Sequence, residues 1–214
     1  MTPLLVPLLT FTAAAAILTL TPGVDTAMVL RASAAGGRRS GLAASAGICL
    51  GLLVWGAGAA FGLTALLSAS RLAFTALKWA GAAYLAWLGL RLILKPRADW
   101  APAGPASQAG GRRDDPGGAF RRGLLTNLLN PKVGVFYITF LPQFIPHGYN
   151  VAVLSMLLAG VHVLLSLVWL SILTATAASL GRILRRPKIV NALDRLTGLM
   201  FIGFSVRLAL TEAA

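Results

Sequence analysis

The chain has 214 residues, of which 57% are hydrophobic and only 12% charged, with a formal net charge of +13. A soluble domain usually carries roughly 25% charged and about 45–50% apolar residues, so this composition excludes an ordinary soluble protein. A nucleic-acid surface is not the reading of the positive charge either. The basic residues stand in short clusters between apolar blocks, where they orient a membrane protein.

The first apolar block runs from about Leu4 to Leu30, with Pro22 and Gly23 inside it. No Lys or Arg precedes Arg31, so the block lacks the basic start of a secretory signal and is read as an uncleaved first span. The second covers about Leu42 to Leu67 and the third about Leu72 to Leu94. Residues 96–118, rich in Pro, Gly and Ala, have little apolar surface to offset their ordering entropy and read as a linker. The fourth block spans about Leu124 to Ile145, the fifth about Val151 to Leu180, and the sixth about Ile189 to Leu210. Each is long enough for the roughly 20 residues that a helix needs to cross a bilayer. The pattern predicts an all-α polytopic membrane protein of six transmembrane helices. Its parts are a first three-helix repeat (1–95), a linker (96–122) and a second three-helix repeat (123–214).

Orientation follows from Lys and Arg. Arg31, Arg38 and Arg39 follow the first span. Arg91, Lys95, Arg97, Arg112, Arg113, Arg121 and Arg122 follow the third, and Arg182, Arg185, Arg186 and Lys188 follow the fifth. The opposite connections hold Arg71, with His147 and Glu212 nearby. The positive-inside rule therefore puts the basic loops in the cytoplasm and both termini outside, in a cell membrane. Three spans per half make the halves opposite in orientation, an inverted repeat. Thr21-Pro22-Gly23-Val24 matches Asn130-Pro131-Lys132-Val133 at an offset of 109, and Lys78, Gly81 and Tyr84 match Arg195, Gly198 and Phe201 at an offset of 117.

The first match carries the chemistry. Pro22 removes a backbone donor and Gly23 adds freedom, so the first helix opens at Thr21-Pro22-Gly23. Asp25 lies just beyond. An acid at membrane depth is costly and faces the protein interior, although Asp25 also suits an N-cap. The fourth span has its own break at Asn127 to Lys132, where Asn130 precedes Pro131. Lys132 is a candidate partner for Asp25 or for an anionic group, or else it snorkels to the interface. Paired breaks in corresponding helices point to a transporter's binding site. Freed amides suit a carboxylate, and carbonyls with Asp25 suit a cation, so a small zwitterion such as an amino acid fits both. Pro22 stands nine residues before Arg31 and Pro131 nine after Arg122, which sets both breaks toward the basic side.

The runs LTPGVDTAMVLRASAAGGRRSGLAASAGICLG (20–51) and GLLTNLLNPKVGVFYITFLPQF (123–144) resemble the two signature regions of the LysE/RhtB family of amino-acid exporters. Residues 78–89, KWAGAAYLAWLG, resemble that family's third span. The resemblance implies export of amino acids or related small zwitterions, coupled to the proton gradient. It marks Thr21, Pro22, Gly23, Asp25, Asn127, Asn130, Pro131, Lys132 and Gln143 as substrate-binding or coupling residues. Val24 stands where many relatives have a second proline.

Other features read as packing. Ala43, Gly47 and Gly51 share a face of the second helix, Gly58 and Gly62 repeat the spacing, and such faces allow close helix approach and a possible homodimer. Trp55 reads as a core or lipid contact, and Lys78 as snorkelling. Cys49 reads as a small buried residue and cannot form an internal disulfide. His162 and Ser166, one turn apart, lack a third orienting group, so His162 reads as an interior hydrogen-bonding residue rather than a catalytic base. Two histidines and one cysteine far apart give no metal-ligand spacing, and no phosphate loop follows a strand. The expectation is a secondary exporter with no cofactor and no enzymatic activity, with a passive channel as the alternative.

Overall fold

The structure, a computed structural model, describes residues 4–69, 71–95, 115–146, 148–184 and 186–210. Most of the expected linker, residues 96–114, lies outside them, as do His147, Arg185, Glu212 and the side chains of Arg71, Lys78 and Arg182. Every regular element among the described residues is helical.

Helix α1 (Leu5–Leu20) stops at Thr21, whose backbone is extended at φ −70°, ψ 117°. Proline disfavours helical angles in the residue before it, and Pro22 thereby ends α1. The chain restarts at Val24 as α2 (Val24–Ala69), 46 residues long. As one rod α2 would measure about 69 Å, more than twice the roughly 30 Å apolar thickness of a bilayer. It is two limbs instead, 24–35 and 38–69, because Gly36 and Gly37 leave helical angles and Gly37 takes φ +67°. Glycine adopts that left-handed angle without a β-carbon clash. The limbs lie side by side: Asp25 and Thr26 share a cavity with Ile48 and Leu52, and a β-carbon on Gly41 would strike Ser33.

Helix α3 is Arg71–Leu94 and α4 is Pro116–Leu128. After Leu129 and Asn130 the chain resumes as α5 (Pro131–Phe144), bent 50° from α4. Helix α5 changes pitch along its length, from α over Pro131–Val135 to a wide π turn over Phe136–Phe140 and a tight 3-10 turn over Leu141–Phe144. Helix α6 (Val151–Ala175) is N-capped by Asn150, whose Oδ1 accepts from the Val153 amide at 3.0 Å. A turn at Thr176 separates it from α7 (Ala177–Leu184), and α8 is Pro187–Leu210. The fifth predicted block is thus α6 plus part of α7.

The two breaks have one backbone geometry. Asn130, at φ −78°, ψ 107°, repeats the extended conformation of Thr21, again just before a proline. Each also falls near the middle of its element: 16 residues of α1 precede the first, and 13 of α4 precede the second. Helix continues past Arg31 to residue 35 and begins before Arg121 at Pro116.

Close packing depends on glycine. A β-carbon on Gly47 would collide with the Phe120 carbonyl and one on Gly123 with the Ala44 carbonyl, while one on Gly51 would come 2.5 Å from Asn127 Oδ1. The second limb of α2 therefore lies against α4 and parallel to it. Gly58 and Gly62 have nothing within 4 Å, so the small-residue face expected along this helix packs inside the chain at Ala43, Gly47 and Gly51 and not at its far end. Helices α3 and α8 cross antiparallel at Gly89 and Gly198. The carbonyl of each lies 2.7 Å from where the other's β-carbon would stand. These two glycines are 109 positions apart, the same offset as Thr21 and Asn130.

An aromatic cluster of Phe11, Phe136, Phe140, Phe144 and Phe204 fills the interior beside α1 and α5. Large apolar residues also face outward, among them Val153, Leu164, Val168 and Leu199, each more than 60% exposed. Such a surface suits lipid rather than water. Helices α2, α6 and α8 are long and apolar enough to cross a bilayer, and the bent pair α4–α5 is a fourth when counted as one broken span. The protein is a multi-pass membrane protein.

Candidate functional site

A proline in a helix leaves the carbonyl four residues earlier without its amide partner. Pro22 does this to Leu18, whereas the Asn127 carbonyl, denied an amide at position 131, accepts the Asn130 amide at 3.0 Å instead. Side chains from elsewhere also reach both oxygens. Lys132 Nζ donates to the Leu18 carbonyl at 3.1 Å and to the Thr21 carbonyl at 3.4 Å. Trp55 Nε1 donates to the Asn127 carbonyl at 3.3 Å, and its ring lies where a β-carbon on Gly134 would be 2.9 Å away. Trp55 is therefore a support of the second break, a more specific role than the core or lipid contact expected.

Asp25 sits in the first turn of α2, where a carboxylate complements the helix dipole. Its Oδ2 accepts from Asn127 Nδ2 at 2.9 Å and from Asn130 Nδ2 at 3.2 Å. Asn130 also caps α5, because its Oδ1 accepts from the Lys132 amide at 3.1 Å. One asparagine thus starts a helix and holds the acid. Asp25 Oδ1 and Asn127 Oδ1 are buried and accept no hydrogen bond from the described residues. Buried polar atoms in proteins are nearly always paired, which makes Asp25 Oδ1, in the cavity lining, an acceptor suited to a ligand, whereas Asn127 Oδ1 packs against Gly51. Thr21 Oγ1 donates to the Ile17 carbonyl at 2.6 Å and shares a 2.5 Å hydrogen bond with Thr197 Oγ1 of α8.

A cavity of about 50 Å³ lies among these groups, with room for a few water molecules. Thr21, Asp25, Asn130 and Lys132 form its polar wall, and Ile48, Leu52, Val133 and Leu170 its apolar one. His162 and Ser166 also face it. The interior role expected for His162 is seen: its Nδ1 and the buried Tyr137 hydroxyl share a hydrogen bond at 3.2 Å, with the two rings stacked at 17°.

Of the residues singled out from sequence, Thr21, Gly23, Asp25, Asn130 and Lys132 line the cavity. Asn127 reaches Asp25 from behind the lining, while Pro22 and Pro131 shape the two breaks. Gln143 is not brought to them. It lies in the 3-10 turn of α5, where its Nε2 donates to the Thr139 carbonyl at 3.1 Å. Tyr137 and Thr197 escaped the sequence reading. Thr197 had a signal: with Val190, Asp194, Phe201 and Ser205 it forms the buried stripe of α8 at helical spacing, and three polar residues in such a stripe mark a polar contact.

Two proline-broken helices meeting at a half-buried acid inside a multi-pass apolar bundle are an arrangement from which membrane transporters build a binding site. The chain belongs to the LysE type translocator family, whose model matches residues 16–212. It is 37% identical over 196 residues to an uncharacterised membrane protein of Pseudomonas aeruginosa, covering 89% of this chain and 88% of the relative. It is 30% identical to leucine efflux proteins of an Enterobacter species and of Klebsiella pneumoniae, covering 94% and 96% of this chain and 93% and 95% of theirs. No solved structure matches the chain.

Proposed function

We propose that the protein is a secondary exporter of amino acids or closely related zwitterions, with six membrane spans in a 3+3 inverted arrangement and both termini outside the cytoplasm. The observation that carries this reading is the junction of the two breaks at Asp25, whose carboxylate is held by Asn127 and Asn130 of the opposite half. The efflux proteins among its relatives support an amino-acid cargo. The reciprocal Gly89–Gly198 crossing, at the offset that also relates the breaks, supports the division into 1–95 and 123–214.

Substrate enters from the cytoplasm as one half rocks against the other, which widens the cavity between the two breaks. Its carboxylate meets the first-turn amides of α2 beside Gly23, which lack intrahelical partners. Its ammonium meets Asp25, whose Oδ1 faces no other donor among the described residues. The apolar wall receives the side chain, and a proton exchanged at Asp25 drives export.

The test is uphill export from proteoliposomes loaded with leucine, with and without an imposed proton gradient. Accumulation against the leucine gradient that collapses with a protonophore is expected, and Asp25→Asn should abolish it. Flux that only runs downhill would make the protein a passive channel.

A further inference from the structure

The Lys132 ammonium occupies an unusual position. Lys132 is the second residue of α5, where a positive charge opposes the helix dipole, so local helix stability does not account for it. Its Nζ instead lies against the end of α1, at two main-chain oxygens: that of Leu18, freed by Pro22, and that of Thr21, turned out of the helix by its extended backbone. The carboxyl end of a broken helix is the negative end of its dipole, and unwound carbonyls there are a setting in which transporters coordinate a monovalent metal ion. The second break offers a contrast. There the Asn127 carbonyl accepts the Asn130 amide at 3.0 Å and the neutral indole N–H of Trp55 at 3.3 Å. The first break thus has a lysine ammonium where the second has a neutral indole.

We propose that the Leu18 and Thr21 carbonyls form a monovalent-cation site whose resident cation is the chain's own Lys132 ammonium. The protein therefore needs no sodium ion, and removal of the lysine would turn it into one that binds a diffusible cation. A tethered cation cannot dissipate an ion gradient, so sodium is removed as a coupling ion and Asp25, the acid in the cavity lining, is left to the proton. The inference does not depend on which solute is carried.

The experiment is thermal unfolding of the full-length purified protein in detergent, in choline, sodium, potassium or methylammonium chloride at equal ionic strength. The wild type should melt at one temperature in all four. Lys132→Ala should melt lower in choline and recover by about 2–4 °C in sodium or methylammonium, the shift expected at this chain length from a modest binding energy. Pro22→Ala restores an amide that can serve the Leu18 carbonyl. In that background Lys132→Ala should cost less and the cation response should shrink. A folded Lys132→Ala that melts alike in all four salts overturns the proposal. So does a variant that folds in none of them, since a vacated site would accept methylammonium during purification. An undiminished cost of Lys132→Ala beside Pro22→Ala overturns it as well. None of these readouts uses transport, so a failure of the amino-acid reading leaves them standing.

Discussion

Asn127 Nδ2 donates to Asp25 Oδ2 across 2.9 Å, tying the last turn of α4 to the first turn of α2. Asn130 adds a second donor to the same oxygen, and its orientation is fixed because its Oδ1 is committed to the Lys132 amide. The acid is thus positioned by two amides from the opposite break, on a turn that a proline shapes.

Asn127→Ala leaves Asp25 Oδ2 with one donor in a buried site. Such a loss costs about 1–3 kcal/mol, and export should fall by about tenfold or more, the equivalent of about 1.4 kcal/mol. Asn130→Ala should do at least as much damage, because it also removes the cap of α5, worth about 1 kcal/mol. Proteoliposome efflux rates together with melting temperatures in detergent check both. Equal export by Asn127→Ala and wild type would remove the amide from the mechanism.

Gly47→Ala and Gly123→Ala each drive a β-carbon into a carbonyl of the neighbouring helix. Backbone cannot rotate away as a side chain can, so α2 and α4 must separate, at a cost of about 1–3 kcal/mol. Gly58→Ala meets nothing within 4 Å and should stabilise the helix by about 0.5–1 kcal/mol. Melting temperatures should move in opposite directions for the two classes.

Gly89→Ala and Gly198→Ala push on one crossing from both sides. Once either has parted α3 from α8, the other has less left to disturb. The double variant should therefore melt higher than the sum of the single losses predicts, by the amount that coupled neighbours show, about 0.5–3 kcal/mol. Strict additivity would contradict a shared contact.

Tyr137→Phe removes the hydroxyl that His162 Nδ1 meets inside the core. An unpaired buried nitrogen costs about 1–3 kcal/mol. Replacing both partners, as Tyr137→Phe with His162→Phe, should recover part of that loss because no orphaned group remains. The cycle is read by thermal unfolding, and its transport rates show whether His162 matters to the cavity it faces.

The membrane character, the two breaks and the acid beside the first were legible because each is written in adjacent residues: an apolar run, a proline, an aspartate. What joins them was not. Asp25 and Asn127 are 102 positions apart, and local spacing cannot show that two helices present those residues to one another. The hairpin at Gly36–Gly37 falls inside the connection expected between about Leu30 and Leu42, but its tightness was hidden because Arg31, Arg38 and Arg39 suggested a longer loop. The pitch changes of α5 left no local mark, since Phe136 to Phe140 read as ordinary apolar helix. Gln143 was marked by resemblance alone, and nothing in its spacing tied it to the breaks.

The two-glycine turn at Gly36–Gly37 has a mechanical consequence. With Gly41 fitted against Ser33 across the turn, the two limbs of α2 are expected to move together. Bending in this half is then concentrated at residues 21–23, beside the acid itself. Distances between spin labels on 24–35 and 38–69 should stay constant through the transport cycle, while those spanning 21–23 change.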